Sequence, residues 1–212
     1  MNPTTPAALG FRVHTGWAAS VAVAGPPSFP KVVDRRRVAL IENGEEKLAA
    51  VYHAATELAL PAAEKLVRDA TDAARRKARI AIEAMIQELR AKGYEPVAAG
   101  IVLGGGRLPS SLEAILRSHP LVHTAEGELF RQALIAASEA CELRVSGISG
   151  RELYAKVASE LGVNAAHLRD RLGEAGKSAG KPWAQDQKEA MAVAWSALAA
   201  ATRSRGAKSP RS

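Results

Sequence analysis

The stretch from Leu9 to Ala24 constrains the fold more than any other part of the chain. Its apolar residues predict two β-strands, at about 8–14 and 17–24, joined by a tight turn that carries His14, Thr15 and Gly16. A third strand is predicted at about 32–42. Because the connections are too short for a crossover helix, these three strands are expected to form an antiparallel meander.

Helical spacing dominates the chain after this meander. Apolar residues keep that spacing from Ala62 to Lys92, which predicts a helix of roughly 45 Å with Pro61 in its first turn and Gly93 at its end. Short apolar runs at 96–103 and 143–148 predict two further strands. Other helices are predicted at 45–60, after a capping box at Ser110–Glu113, at 125–140, from Ser149 to Gly162, at 164–172 and at 185–202, with a flexible loop at 173–182.

The resulting order, β-β-β-α-β-α-β-α, predicts an α/β fold with a five-stranded mixed sheet flanked by helices, one of them long. We expect residues 1–7 to be loose, residues 8–202 to form one domain and residues 203–212 to be a disordered basic tail. Four of the 29 Lys and Arg residues lie in that tail and no acidic residue does, so the rest of the chain carries 25 basic against 22 acidic residues. The tail favours non-specific contact with nucleic acid or an acidic partner, or is simply solvated.

Composition restricts where in the cell the protein is expected and which kinds of site it can contain. No stretch approaches the ~20 apolar residues of a transmembrane helix, and the N-terminus lacks the basic start of a signal peptide, so a cytoplasmic protein without a membrane partner is expected. The single cysteine, Cys141, excludes an intrachain disulfide and a cysteine-based zinc site. We expect it to be a buried, inert thiol.

Two short segments carry a resemblance to a known superfamily. Val13-His14-Thr15-Gly16-Trp17-Ala18 resembles the Asp-x-Gly turn between the first two strands of the ribonuclease H-like superfamily. The segment from Asp186 to Leu198, in which two acids precede an alanine-rich run, resembles the C-terminal helix of its Holliday-junction-resolvase branch. The resemblance implies a ribonuclease H-like fold over residues 8–200, in a bacterial protein of this branch.

The resemblance also implies a site at the end of the sheet. Enzymes of this superfamily hold two Mg²⁺ ions between carboxylates and hydrolyse phosphodiesters. Asp186 and Glu189 are three residues apart and share a helix face, so they would be ligands for Mg²⁺ or Mn²⁺, with His14 as a further ligand or a general base. Yet His14 stands where an Asp is expected, imidazole suits Mg²⁺ poorly, and the fourth strand ends without an acid. In the alternative, the two acids only stabilise a helix N-terminus.

A triple glycine, Gly104-Gly105-Gly106, ends the fourth predicted strand and precedes a capped helix. Backbone amides in such a turn bind phosphate. Together with Thr15 and Gly16, the turn predicts a nucleotide-binding cleft of the actin-like type. In the alternative it is a tight turn that only glycine tolerates.

Six further polar residues are candidates for a functional site: Tyr52, His53, His119, His123, Glu126 and Glu128. A His-x-x-x-His pair on a helix would place both rings on one face for a metal ion. Pro120 and a cap at Thr124 instead predict a loop before residue 124, with capping as the structural role. Arg35 and Arg37 share a face of the third strand, where their charge tracks a nucleic-acid backbone or protects a sheet edge.

These patterns favour three functions. The first is a nucleic-acid-associated ribonuclease H-like protein, either a divergent metal-dependent nuclease or a catalytically silent relative. The second is an actin-like nucleotide-binding or scaffold protein, and the third is an interaction module in which helix 62–92 pairs with a partner or with a second copy. The sequence alone does not decide whether the protein is an enzyme.

Overall fold

The computed structural model describes residues 4–42 and 46–206, and within these residues five strands form one mixed sheet. The strands are β1 (Thr5–His14), β2 (Trp17–Ala24), β3 (Lys31–Ala39), β4 (Tyr94–Leu103) and β5 (Arg144–Ser149). Their spatial order is β3-β2-β1-β4-β5. The β1–β2 and β2–β3 pairs are antiparallel, and the β1–β4 and β4–β5 pairs are parallel. This order confirms the predicted five-stranded mixed sheet with its antiparallel meander and two parallel strands.

Helices flank the sheet. In the described residues they are α1 (Glu46–Ala49), α2 (Val51–Thr56), α3 (Leu60–Ala91), α4 (Leu112–Leu116), α5 (His119–Ala140), α6 (Leu153–Leu161), α7 (Ala165–Ala179) and α8 (Gln185–Gly206). The long helix α3 has 32 residues, or roughly 48 Å at 1.5 Å per residue. Pro61 lies in its first turn and Gly93 follows it with a φ of +83°, as predicted. Within the described residues, no helix combines the length and apolarity that crossing a membrane requires.

The side chains of β1 divide between the two faces of the sheet. Leu9, Phe11 and Val13 are buried in one core cluster with residues of α3 and α5. Ala8 belongs to a second cluster, on the opposite face, formed with α6, α7 and α8. Because successive strand residues alternate between faces, Arg12 and His14 lie on the α8 side.

Helix α8 rests directly on the backbone of the two central parallel strands. A Cβ added at Gly10 of β1 would lie 1.9 Å from the carbonyl oxygen of Ala190, and one added at Gly100 of β4 would lie 2.3 Å from that of Val193. Only glycine permits such an approach. The contact fixes α8 against β1, so that the first turn of the helix meets the C-terminal end of the strand.

Several predicted helix bounds were wrong. The helix expected at 45–60 is broken into α1 and α2, and α4 is capped by Ser111, whose Oγ accepts from the backbone N–H of Ala114 at 3.4 Å. The loop expected at 173–182 is largely the second half of α7. In this half of α7 the Trp183 ring covers Gly176, and Nε1 of Trp183 donates a hydrogen bond to the carbonyl of Leu172 at 2.8 Å. These contacts stabilise a helix that Gly173 and Gly176 would otherwise weaken.

The two expected chain ends also differ from the structure. Strand β1 begins at Thr5, inside the segment 1–7 that was expected to be loose, and α8 continues past Thr202 to Gly206. Residues 207–212, with Lys208 and Arg211 of the expected basic tail, lie outside the described residues.

Cys141 follows the last residue of α5 and is half-buried. Burial raises the pKa of its thiol, the nearby negative charge of Glu83 raises it further, and Arg79 partly opposes both effects. Because the thiolate is the reactive form, we expect Cys141 to be alkylated by iodoacetamide at pH 8 more slowly than a small free thiol. Labelling as fast as the free thiol would contradict this expectation.

Candidate functional site

The ends of β1 and α8 bring two basic and two acidic side chains together. Arg12 Nε lies 2.7 Å from Glu189 Oε2, and His14 Nε2 lies 3.0 Å from Asp186 Oδ2. Among the described residues, neither nitrogen has a partner aligned for a hydrogen bond, so the Arg12–Glu189 contact is an ion pair without a directed hydrogen bond. The His14 contact is ionic whenever the imidazole is protonated. The structure thus brings together the three predicted residues and adds Arg12 to them.

His14 is also held by an aromatic stack. Its ring stacks on the Trp17 indole, with centroids 4.3 Å apart and planes 10° from parallel, and Arg37 places its guanidinium carbon 4.0 Å from the indole centroid. Because β2 lies between β1 and β3, Trp17 sits between His14 and Arg37. A cavity of about 350 Å³ beside this stack is lined by Thr15, Gly16, Trp17 and Arg37, among others.

The residues at this site do not fit a pair of Mg²⁺ ions. Mg²⁺ takes oxygen ligands in near-octahedral geometry, whereas here each carboxylate already faces a basic side chain. His14 supplies nitrogen instead of oxygen. Strand β4 ends at Leu103, and the triple glycine that follows it contains no acid. Arg12, and His14 when it is protonated, place positive charge beside the two carboxylates.

Close packing accounts for two of the three glycines, Gly104 and Gly106. A Cβ at Gly104 would lie 2.5 Å from Arg131 Nη2, and one at Gly106 would lie 2.5 Å from Thr124 Cγ2. No glycine of the turn has a left-handed φ, so crowding, and not backbone strain, is what favours glycine at Gly104 and Gly106. The cavity beside Thr15 and Gly16 is not lined by this turn. The geometry therefore does not favour the predicted nucleotide cleft.

The predicted loop before residue 124 was wrong, because α5 begins at His119. Pro120 lies in its first turn, where the missing N–H costs no intrahelical hydrogen bond. Thr124 does not cap the helix, since its Oγ1 donates to the carbonyl of Pro120 at 2.9 Å. His119 and His123 are consequently one helical turn apart on the same face.

His53 of α2 completes a cluster of three imidazoles. The ring centroids are 4.5 Å apart for His119–His123, 4.6 Å for His53–His123 and 5.5 Å for His53–His119. One nitrogen of each ring lies within 4.8 Å of one nitrogen of the others. His119 and His123 are exposed and His53 is half-buried, so the cluster is open to solvent on one side.

Glu126 lies behind this cluster and is only 5% exposed. Its Oε1 is 2.8 Å from Nδ1 of His53 and accepts from the backbone N–H of the same residue at 3.2 Å. Burial raises the pKa of Tyr52, and the negative charge of Glu126 adds to that rise. Glu128 contacts other residues, accepting from Arg131 Nε at 2.9 Å and Gln132 Nε2 at 2.6 Å. Five of the six candidates therefore lie in one region, and Glu128 does not join them.

Sequence reasoning missed Arg12, although a signal for it was present. Arg12 is two residues before His14, so both share a strand face, just as Glu189 shares a helix face with Asp186. The sequence spacing alone therefore indicates that, if His14 meets Asp186, Arg12 can meet Glu189. Arg35, by contrast, donates to the carbonyls of Lys181 and Pro182, at 2.8 and 3.0 Å, so it ties the edge strand β3 to the segment after α7.

Comparisons with known proteins return structural neighbours alone. No protein-family model matches the chain, and a search of curated proteins finds no match. Among solved structures, the chain is similar to Thermus thermophilus RuvC in complex with a Holliday junction substrate, with 10% identity, coverage of 93% of this chain and 95% of that chain, and a TM-score of 0.49. It is similar to a second Thermus thermophilus RuvC structure, with 11% identity, coverage of 93% and 96%, and a TM-score of 0.48.

Proposed function

We propose that this protein binds nucleic acid through the end of its sheet and does not cleave it, as a catalytically silent member of the ribonuclease H-like fold. The observation that carries the proposal is the pair of contacts Arg12–Glu189 and His14–Asp186, at 2.7 and 3.0 Å. They occupy the carboxylates that a divalent ion would need.

The same contacts make the surface acceptable to a phosphate backbone. Two unpaired carboxylates would repel phosphates, and metal ions would have to neutralise them first. Arg12 supplies that neutralisation without a metal, and His14 adds to it when protonated. The two basic side chains are about one-third exposed, at 33% and 32%, although the nitrogens that contact the carboxylates are themselves buried.

Arg37 extends this basic surface. It is exposed, and its guanidinium lies over the Trp17 indole, with no acid paired to it among residues 4–42 and 46–206. Trp17 is covered by His14 and Arg37, so its role is to position these two side chains, leaving Arg37 as the group that contacts a phosphate. A cation held over an aromatic ring loses less side-chain entropy on binding than a free one.

The interaction-module alternative finds less support in the described residues. The apolar stripe of α3 packs into the protein's own core, with Ala70, Ala74, Ala78, Ile82, Met85 and Leu89 all buried. Among the large apolar side chains of α3, only Leu60 and Ile80 are exposed. The broad apolar face that a partner helix would need is therefore already covered.

Binding is tested by fluorescence anisotropy of labelled single-stranded, duplex and four-way-junction DNA at several salt concentrations. We expect Arg37→Ala to weaken binding and to reduce the slope of log affinity against log salt by about one phosphate contact, a change of roughly 0.7–0.9 in the slope. The matched control is Arg144→Ala. Arg144 is an exposed arginine at the start of β5, at the opposite end of the sheet, and its loss should leave the slope unchanged.

Cleavage is tested on the same substrates with Mg²⁺ or Mn²⁺. We expect no product above the level given by Asp186→Asn. Metal-dependent cleavage that Asp186→Asn abolishes would replace the silent-binder proposal with a nuclease. Absence of salt-dependent binding to all three substrates would reject the nucleic-acid proposal itself.

A further inference from the structure

We propose that His53, His119 and His123 form a binding site for a transition-metal ion of the Zn²⁺ class, with a solvent molecule in the remaining coordination position. This cluster lies on the α5 side of the sheet, whereas Arg12 and His14 lie on the α8 side. The proposal does not depend on nucleic-acid binding. It rests on the geometry of the three rings and on the buried carboxylate behind them.

The backbone already places the ligands. His119 and His123 are four residues apart on α5, a spacing that puts two imidazoles on one helix face for a metal ion. Helix α2 packs against α5 and delivers His53 to the same point. Tetrahedral Zn²⁺ with Zn–N bonds of about 2.0–2.1 Å needs nitrogens about 3.4 Å apart. One nitrogen of each ring now lies within 4.8 Å of one nitrogen of the others, and His119 and His123 are exposed. Rotation of these exposed rings about their side-chain bonds would close that gap.

Glu126 gives the strongest indication that the cluster is a site. It is one of few buried charged residues in the described part of the chain, at 5% exposure, and burying a carboxylate is costly unless it is paired and hydrogen-bonded, as Glu126 is with His53. Its contact with Nδ1 of His53 at 2.8 Å fixes the ring and leaves Nε2 as the nitrogen able to bind a metal. A carboxylate on the far nitrogen of a ligating histidine is a recurrent feature of metal centres.

The chemistry of the ligands selects the ion. Imidazole nitrogen suits Zn²⁺, Cu²⁺ and Ni²⁺, whereas Mg²⁺ and Ca²⁺ require oxygen. Glu126 is engaged with His53, so the three rings are the ligands that this cluster offers. Three protein ligands with an open side are typical of sites that keep a position for water or a substrate, in contrast to the four-ligand closed sites that only hold a fold together.

Metal binding is measured on the untagged full chain after treatment with EDTA, by titration with Zn²⁺ and, in parallel, Mg²⁺. We expect one Zn²⁺ per chain and no Mg²⁺ at this site. Titration with Co²⁺ as a spectroscopic probe should give the visible absorption of a tetrahedral ion. Two or more equivalent weak sites, or binding of Mg²⁺ in competition with Zn²⁺, would overturn the proposal.

Variants then assign the site. His119→Ala and His123→Ala change exposed side chains, so folding should be preserved, and each should lower Zn²⁺ affinity by more than 100-fold. Glu126→Gln should lower it by about 10- to 100-fold, the range for losing a group that orients a metal ligand. His167→Ala, on the exposed surface of α7, is the matched control and should change nothing. Unchanged Zn²⁺ affinity in both His119→Ala and His123→Ala would reject the site.

Discussion

Replacing Gly10 by alanine is expected to lower the free energy of unfolding by about 3 kcal/mol, the upper end of the usual range for an overpacked core. The new methyl group would lie 1.9 Å from the carbonyl oxygen of Ala190, whereas unstrained contacts between heavy atoms are about 3.5–4.0 Å long. Strand β1 and helix α8 would have to separate by more than about 1 Å. Urea unfolding followed by circular dichroism measures the loss, which is large against the ~5–15 kcal/mol that stabilises a typical domain.

Two further glycines test the cause of this effect. Gly100→Ala should be destabilising for the same reason, because its methyl group would lie 2.3 Å from the carbonyl oxygen of Val193. Gly173→Ala is the control, since Gly173 lies inside α7 with no atom within 4 Å of an added Cβ. There alanine should increase stability by about 0.5–1 kcal/mol. A Gly10→Ala protein as stable as the wild type would mean that α8 does not lie on the strand backbone.

Replacing His14 by aspartate is expected to make the stability of the protein depend on Mg²⁺. The introduced carboxylate would face Asp186, which His14 now contacts at 3.0 Å, and two like charges at that distance repel each other. Without divalent ions H14D should therefore unfold at a lower temperature than the wild type. When Mg²⁺ is present, the two carboxylates provide adjacent oxygen ligands for it. A free Mg²⁺ concentration of 100 times the Kd would then raise the free energy of unfolding by about 2.7 kcal/mol.

Thermal unfolding with and without Mg²⁺, at constant ionic strength, measures this dependence. The wild type should show no shift, because its carboxylates face Arg12 and His14. H167D adds the same charge on the exposed face of α7 and should not respond to Mg²⁺. If the wild type were itself stabilised by Mg²⁺, and Asp186→Asn removed the effect, the basic side chains would not exclude the ion and the silent-binder proposal would fail.

Much of the fold could be predicted because its signals are local. Three local patterns predict elements that the structure contains. They are the turn at His14–Gly16 between β1 and β2, the apolar run of β4 before the triple glycine, and the helical spacing from Ala62 to Lys92 in α3. The order of the elements then restricts the sheet to few topologies. Helix bounds failed where packing overrides propensity, as at Gly176, which the Trp183 ring covers.

The two sites differ in how far sequence reasoning could go. His14, Asp186 and Glu189 were predicted to meet through the resemblance and the helix spacing, and they do lie together. The histidine cluster could not be assembled in this way. Pro120 suggests a loop in the sequence, but the first turn of a helix also accepts proline, and there it lies. The approach of His53 to Glu126, across 73 positions, comes from tertiary packing of α2 on α5 that no local pattern encodes.

The close packing of α8 on Gly10 and Gly100 allows the residues at the end of β1 to change in evolution while the fold stays the same. Because backbone contacts set the distance between β1 and the first turn of α8, the side chains at positions 12, 14, 186 and 189 can be exchanged without moving the frame that holds them. Histidine and aspartate codons differ by a single base. One mutation at position 14 therefore separates a salt-bridged surface from a pair of facing carboxylates, and the gain or loss of a metal centre need not pass through an unfolded ancestor.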